Sequence, residues 1–497
     1  MQVEMESDHD IGSVGGVRSD PATALRPRAR PIALSALLSD AVASVPISGV
    51  SLDSRAVRPG DLYVGLPGQL HHGARFAAAA VRAGAVAVLT DPVGATLVDD
   101  LEAPVVVDPD PRRRMAAIAA EVYGRPADRM TMLGVTGTNG KTTTTYLLAA
   151  ALAAAGARPG LIGTIGFSIA GAPLPGTRST VTTPESPDLQ ALLAVMAERG
   201  ADTVAMEVSS HALALGRVEA IEFTACAFTN FGSDHLDFHG SVEAYWEAKA
   251  SLFTRERTRR AVINLDDPRG SELADRARTG GLTVTTLSLE DPRADYHAEV
   301  VRPAAGQTEV SVRWPGGRTS FTLDLPGAFN IRNALTSLAL TEAAGLDVAA
   351  GATGLATAYV PGRMQRVPLP GPAPAVYVDF AHTPQAVSAA LRAVQARRIV
   401  VVLGCGGDRD PGKRLPMGEA AARGADVVLV TDDNPRTEDP ARIRAQVLAG
   451  ARSAVPRRAV EIVEAGDRRT AIRHALEVAR AGDVVAVLGK GHEQGQD

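Results

Sequence analysis

Apolar runs of strand length alternate with amphipathic stretches of helix length along most of the chain. TMLGVT, DTVAMEV, ACAFTN and AVINLD are nearly continuous apolar segments between Thr131 and Asp266, and TTTTYLLAAALAAAG and SPDLQALLAVMAERG have helical length and spacing between them. A strand covered by helices on both faces has no polar side to show, so unbroken apolar runs predict a parallel α/β sheet over 129–360. Within it, LTVTTLSL, AEVVRPAAGQTEVSVRW and TSFTLDLPG (283–326) alternate polar and apolar around a Pro-Gly turn and predict a β-rich insertion. Helical spacing returns at NIRNALTSLALTEAAG, and PGRMQRV predicts a linker. The alternation then restarts in 361–497: AVYVDF, RIVVVLG, DVVLVTD, AVEIVE and DVVAVLG predict strands, with helices at TPQAVSAALRAVQ and DRRTAIRHALEVARAG. The segment 31–128 mixes shorter elements: GDLYVGLPG as strand and turn, FAAAAVRAGAVAVLTD as helix then strand, and APVVVDPD as strand. Polar, glycine-rich MQVEMESDHDIGSVGG and the Pro/Arg-rich stretch after it make residues 1–30 an expected disordered leader.

Length agrees with this division, since 497 residues at about 100–200 per domain suggest about three domains. A net charge of −5, with no long basic block, gives no expectation of a nucleic-acid partner. Two cysteines, Cys226 and Cys405, cannot build a disulfide framework or a zinc cluster, which suits a reducing cytoplasm. No apolar run reaches the roughly 18 residues of a membrane span, and the N-terminus lacks the plan of a signal peptide.

Candidate chemistry centres on TGTNGKT, set between the run TMLGVT and a helix. Glycines in such a turn let backbone N–H groups approach a phosphate, the helix N-terminus adds positive potential, Lys141 adds a charge and Thr142 offers a hydroxyl to Mg2+. The strict phosphate-loop pattern wants glycine where Val135 stands, so the loop is a variant with TGTNGKT as its core. Glu207, ending DTVAMEV, stands where such ATPases place a metal ligand, followed at once by Ser209, Ser210 and His211. TNFGSDHLDFHGSVEAYWEAKASLF gathers Asp234, His235, Asp237 and His239 in an expected loop, which suits a divalent metal, ahead of a helix carrying Lys249. The His235/His239 spacing matches a helical zinc pair, but flanking glycines and the missing HExxH glutamate speak against a zinc protease. Lys249 lies on the amphipathic face of AYWEAKASLF, where the plain alternative is a snorkelling lysine. Asn330, at the start of a helix with Arg332 and Asn333, is either a cap or a reader of adenine. Asp53, Ser54 and Arg55 mark a strand-to-loop junction open to a polar ligand or to a plain turn. TDDNPRTEDP places Asp432, Asp433, Asn434 and Arg436 on one turn; arginine suits a carboxylate bidentately and aspartate an ammonium, the two groups an amino acid presents. Arg409 and Glu493 add a second cation and anion in the same segment, and LGCGGDRD, lacking the G-x-G-x-x-G order, is a weak second nucleotide site.

In this order TGTNGKTT, EVSSHAL, TNFGSDHLDFHG with AYWEAK, GAFNIRNAL, DFAHTP, GCGGDRDPGKR, DDNPR and GKGHE resemble the Mur ligases of peptidoglycan synthesis, from about Ser51 to Glu493. The resemblance implies an α/β protein of three domains. A smaller N-terminal α/β domain (31–128) would bind the UDP end of a UDP-muramoyl dipeptide, a central P-loop ATPase-like parallel sheet (129–360) would bind ATP, and a Rossmann-like C-terminal α/β domain (361–497) would bring the amino acid. DDNPR implies diaminopimelate, because lysine-adding relatives lose the arginine. ATP would phosphorylate the D-glutamate side-chain carboxylate, and the amine would attack the acyl phosphate. The resemblance assigns Gly137, Thr138, Asn139, Gly140, Lys141, Thr142, Thr143, Asn330 and Arg363 to ATP. It assigns Ser54, Thr182, Thr183, Ser209 and Arg217 to the UDP-substrate, with Leu215 replacing a glutamine of many relatives. Arg409, Asp433, Asn434, Pro435, Arg436, Gly489 and Glu493 go to diaminopimelate. Mg2+ would be held by Thr142, Glu207, His235 and Lys249, a lysine carbamylated in this family and catalytic together with Lys141 and His235. A cytoplasmic monomer without membrane insertion is expected. The family usually continues beyond GKGHE where this chain stops at GQD, so a missing last segment is an expectation.

Other readings remain to be weighed: the lysine-adding ligase, a folate polyglutamate ligase, a P-loop motor or signalling ATPase, and a non-catalytic UDP-sugar binder. No LSGGQ-like element supports a motor, and intact Lys141 and Lys249 disfavour a mere binder.

Overall fold

The apolar runs become strands of three successive sheets, with a two-stranded ribbon near the N-terminus, in a computed structural model that describes residues 27–38, 44–68, 70–98, 100–174, 181–232, 234–304, 307–394, 396–408, 410–493, 495 and 496. The first sheet is all parallel and has four strands in chain order, Gly49–Ser51, Asp61–Gly65, Ala87–Thr90 and Val105–Val107. Helix Pro111–Val122 closes it, its Pro at the first turn and Asp110 capping it by accepting from Arg113 N at 3.2 Å.

Among the described residues the central sheet has eleven strands. Its parallel part runs, across the sheet, Pro159–Gly163, Thr203–Glu207, Thr131–Thr136, Ala225–Phe228, Arg260–Asn264 and Thr283–Ser288. From Thr131–Thr136 the chain first builds to one side and then returns to the other, so the strand order reverses beside that strand. A crevice forms at the carboxyl ends of parallel strands at such a reversal, and this is where the phosphate-loop candidate sits.

Three features differ from expectation. Thr283–Ser288 is a full parallel member of the sheet, Tyr296–Ala304 pairs parallel with it, and Gln307–Trp314 and Gly317–Leu323 extend the sheet antiparallel instead of forming a separate insertion. Their alternation reports a sheet covered on one face: Val310, Val312, Phe321 and Leu323 are buried in the cluster that also holds Ile331, Leu335 and Leu338 of helix Ala328–Ala343. Pro159–Gly163 escapes sequence reading because glycine and proline weaken its strand signal, yet all five residues are buried. PGRMQRV is not only a linker, since Gln365–Val367 pairs antiparallel with Ala375–Asp379; three residues show no period of their own.

That pairing opens the third sheet, six strands in the order Gln365–Val367, Ala375–Asp379, Val484–Leu488, Ile399–Leu403, Val427–Thr431, Glu461–Gly466. One hydrophobic cluster runs from Leu133 and Leu147 of the central sheet and its helix to Leu391 and Val401 of this one. Helix Lys141–Ala154 is seated against helix Val348–Leu355 at backbone contact: a Cβ on Gly354 would lie 2.4 Å from Ala150 O. Overpacking costs about 1–3 kcal/mol when side chains can yield, and here the obstacle is main chain. Gly354→Val is expected to lower stability by about 2 kcal/mol or more, read as faster amide exchange in helices 141–154 and 348–355; unchanged exchange would contradict the contact.

Candidate active site

Strand Thr131–Thr136 hands over directly to the loop, which explains Val135: that residue is still strand, fully buried and in register with Glu207 on one side and Ala227 on the other. Gly137 (φ +147°) and Gly140 (φ +87°) turn the chain into helix Lys141–Ala154. At Gly137 a Cβ would stand 1.9 Å from Thr229 Oγ1, so only glycine admits the neighbouring loop. That neighbour holds the phosphate loop open: Thr138 N donates to Asn230 O (2.8 Å), Asn139 N to Asn230 Oδ1 (3.0 Å), and Asn230 Nδ2 to Asn139 O (2.9 Å). Asn230 carried no signal in the sequence beyond lying in a quoted motif.

The Lys141 ammonium donates to Gly137 O (2.8 Å) and Thr138 O (3.0 Å). Lys249 reaches the same Gly137 O at 2.8 Å from helix Val242–Ala250. It is 1% exposed, lies 4.5 Å above the Tyr245 ring, and has no carboxylate partner among the described residues. The snorkelling alternative is thereby excluded. Burial pushes the Lys249 ammonium well below the ordinary lysine range, Lys141 pushes the same way and Asp234 opposes. Burial also lowers Lys141, against the pull of Glu207 and Asp234. A third cation, Arg363, donates from Nη2 to Thr142 Oγ1 at 3.2 Å and rests 4.5 Å from the Phe380 ring. Three cations around one turn make a site for oxyanions.

Glu207 is fully buried, accepting from Thr142 Oγ1 (3.1 Å), Thr164 N (2.8 Å) and Thr164 Oγ1 (3.1 Å). Thr143 is buried in the first turn of the helix. The histidine loop differs from expectation. Asp237 and His239 lie in a one-turn helix, Leu236–His239, with His235 before it in a left-handed conformation (φ +53°). His239 Nε2 meets Ser210 Oγ at 3.0 Å, and the His211 ring lies 4.7 Å from that of His235. Among the described residues no group of three or more His, Cys, Asp or Glu side chains converges as a metal site, so Asp234, His235, Asp237 and His239 do not form one by themselves. The Thr142 hydroxyl and the Glu207 carboxylate are adjoining hard oxygen donors that suit Mg2+. Lys249 as an ammonium does not suit it, and fits only if modified to an oxygen ligand.

Asn330 is buried but is no cap: its Nδ2 donates to Pro326 O (2.8 Å) and its Oδ1 accepts from Asn333 Nδ2 (3.2 Å), while Gly327 occupies the cap position.

Thr182, Thr183, Ser209 and Arg217 come together beside Glu207. Thr183 Oγ1 donates to Glu207 O (2.9 Å) and accepts from Ser209 N (3.1 Å), and Thr182 Oγ1 lies 3.1 Å from Thr164 Oγ1. Arg217 donates to Thr183 O (3.1 Å) and to Glu185 (2.9 Å), whose other oxygen takes Arg112 of the first domain's helix at 3.0 Å. Ser54 sits half-buried on the turn after Gly49–Ser51, with no hydrogen bond to this group. Beside it Asp53 chelates Arg55, which makes that stretch an ordered turn. Glu185, Arg112 and Thr164 were not singled out by sequence, because no spacing links residues that meet only across elements.

In the third sheet Asp433, Asn434, Gly489 and Glu493 gather around two cations the sequence reading did not single out. Lys490 lies 3.2 Å from Asn434 Oδ1, 3.2 Å from Glu493 and 3.6 Å from Asp433, and Arg468 lies 3.3 Å from Asp433. Asp433 is therefore already paired, not a lone anion awaiting an ammonium. A Cβ on Gly489 would come within 3.3 Å of that carboxylate. Pro435 and Arg436 complete the turn, with Arg436 in the left-handed region (φ +52°) and its Nη1 donating to Gly407 O. The loop of LGCGGDRD thus faces the DDNPR turn instead of forming a second nucleotide site. Arg409 lies outside the described residues.

Comparison with known proteins accords with this geometry. Residues 46–123 match the Mur ligase family catalytic domain, 135–341 the Mur ligase middle domain, and 362–491 the Mur ligase glutamate ligase domain. The chain is 47% identical over 457 residues to the UDP-N-acetylmuramoyl-L-alanyl-D-glutamate--2,6-diaminopimelate ligase of Streptomyces avermitilis, covering 91% of this chain and 89% of that one. It is 46% identical over 445 residues to the UDP-N-acetylmuramyl-tripeptide synthetase of Leifsonia xyli, covering 87% and 85%. A solved structure of a UDP-N-acetylmuramoyl-L-alanyl-D-glutamate--2,6-diaminopimelate ligase superposes with a TM-score of 0.69 at 32% identity, covering 94% of this chain and 95% of that one. A folylpolyglutamate synthase of Mycobacterium tuberculosis complexed with ADP shares the fold, with a TM-score of 0.61 at 22% identity over 77% and 92% of the two chains.

Proposed function

The chain belongs to the Mur ligase family, and on that premise we propose that it is an ATP-dependent ligase that adds diaminopimelate to UDP-N-acetylmuramoyl-L-alanyl-D-glutamate in the cytoplasm. The observation that carries the chemistry is the meeting of Lys141, Lys249 and Arg363 around Gly137 and Thr142. The substrate carboxylate is inert to amines until one of its oxygens becomes a leaving group. A D-glutamate carboxylate oxygen attacks the γ-phosphorus of ATP and ADP departs; the amine then attacks the acyl carbon, phosphate departs and the amine loses a proton. Lys141 gives up its loop carbonyls for phosphate oxygens, with Gly137, Thr138, Asn139, Gly140 and Thr143 lining the turn, and Arg363 brings a cation from the third domain. Asn330 and Asn333 sit beside the loop, where a Cβ on Gly140 would lie 2.6 Å from Asn333 Oδ1. Thr142, Glu207, His235 and a carbamylated Lys249 would hold Mg2+, which when bound would neutralise phosphoryl charge. Thr182, Thr183, Ser209 and Arg217 hold the muramoyl dipeptide end, and Ser54 serves the UDP end from the first domain.

Selection of the amine falls to the DDNPR turn, where Arg436 takes the distal carboxylate of diaminopimelate and Asp433, Asn434, Gly489 and Glu493 line the rest. A charged hydrogen bond is worth about 1.5–3 kcal/mol, so Arg436→Ala is expected to raise the KM for diaminopimelate by about 10–100-fold and to leave that for ATP within about twofold. Equal changes in both constants would refute the pocket. The test of the whole reading is phosphate release with the UDP-dipeptide plus diaminopimelate or lysine in parallel. Release should require both co-substrates and favour diaminopimelate; preference for lysine would make this the lysine-adding ligase.

A further inference from the structure

Arg436 of the DDNPR turn is exposed enough to meet a ligand, and Arg414, which lies near it in the third domain, is not. Arg414, the first residue of helix Arg414–Gly424, is 2% exposed. Its guanidinium forks onto Glu438, with Nη2 to Oε1 at 2.6 Å and Nη1 to Oε2 at 2.9 Å, and Nη1 also reaches Gln446 Oε1 of helix Pro440–Ser453 at 2.9 Å. Glu438 Oε1 in turn accepts from Asp408 N at 2.6 Å, in the loop opposite.

Those two loops are joined along their length. Gly407 N donates to Asn434 O (2.9 Å), Thr437 N and Oγ1 donate to Asp408 (2.9 and 2.8 Å), and Arg436 Nη1 donates to Gly407 O. Asp408 and Arg436 face each other across this seam, both non-glycine residues in the left-handed region (φ +48° and +52°). Such backbone persists only where its surroundings over-determine it, at a cost of about 1–3 kcal/mol per residue. Arg414 stabilises Glu438 as an anion, holding its carboxyl down to about 2, so the pair stays ionised over any working pH.

We propose that the ion pair of buried Arg414 with Glu438 is a clamp that positions Arg436, and so sets selectivity for the incoming amino acid without touching it. The inference rests on the reading of Arg436 as the residue that meets the distal carboxylate. Arg414 and Glu438 are positioning residues. The Arg414 guanidinium is buried, with Nη1 and Nη2 taken by Glu438, Gln446 and Gly406 O, and so is closed to a ligand, whereas Arg436 is exposed, donates from Nη1 to Gly407 O and keeps donors to offer.

The clamp is tested with Glu438→Gln, which keeps volume and removes the charge, and Arg414→Lys, which keeps charge and removes the fork. Each is expected to raise the KM for diaminopimelate about tenfold and to cut the preference over lysine by a similar factor, with kcat and the KM for ATP within about twofold. In an Arg436→Ala background, Glu438→Gln should add nothing, because both act through one group. A merely structural role would instead lower the amount of active enzyme or the melting temperature while leaving KM values and amino-acid preference alone, and that result overturns the clamp. Full additivity of the two substitutions overturns it as well. Should Arg436→Ala itself leave the diaminopimelate KM unchanged, the pocket reading falls and takes the clamp with it.

Discussion

Lys141→Ala is expected to reduce phosphate release by at least about 10²–10³-fold, the loss seen when one preorganised donor to a developing oxyanion is removed. Binding of the UDP-dipeptide should persist. The separation follows from the layout. Lys141 sits at the junction of turn and helix and donates to the Gly137 and Thr138 carbonyls, whereas Thr183, Ser209 and Arg217 are held by Glu185, the Glu207 carbonyl and the short helix Ser210–Ala214. Deleting the ammonium therefore leaves the second group's supports in place. Stopped turnover with an unchanged equilibrium titration of the UDP-dipeptide would meet the expectation; near-normal phosphate release would remove the loop from the mechanism.

An equal or larger loss is expected from Lys249→Ala, with partial recovery on adding a small carboxylate such as acetate. An ammonium with no anionic partner among the described residues, buried beside a second ammonium and sharing one carbonyl with it, is a costly arrangement. Burial lowers the proton affinity of Lys249, so a neutral amine becomes accessible, and a neutral amine can add CO2 to give a carbamate and a proton. The product inverts the local charge: an anion then faces Lys141, and an oxygen ligand stands where an ammonium would repel a divalent cation. Alanine leaves a space at that point which a free carboxylate can enter. Full activity of Lys249→Ala, or no recovery with any small carboxylate while the variant still melts cooperatively, would refute this role.

The parallel strands, the helices between them and the phosphate turn were readable because each is local. A both-faces-buried strand shows as an apolar run, and a loop that needs Gly137, Gly140 and Lys141 within five residues shows as a motif. Pro159–Gly163 and Gln365–Val367 were not readable, since neighbouring strands supply the pairing that their own residues hardly favour. Arg468 reads as an ordinary arginine at a helix start after the cap Asp467, yet it is buried against Asp433 and the Leu488 carbonyl. Arg363 stood out only through family resemblance, because a single arginine in PGRMQ has no period or spacing to mark it.

Sequence by itself thus determined that a glycine- and lysine-bearing turn of the phosphate-loop type stands between Thr136 and Thr143, that α/β units repeat around that turn, and which charged residue types stand together at 432–436. Each of these depends on backbone conformation and hydrophobic period within about one element, which neighbouring residues settle. Tertiary structure decided what the charges do. It placed Lys249 on the carbonyl that Lys141 already uses, brought Arg363 to Thr142, paired Asp433 with Arg468 and Lys490, and put Arg414 beneath Glu438. A charge takes its meaning from burial and from partners far away in the chain, and a linear pattern carries neither.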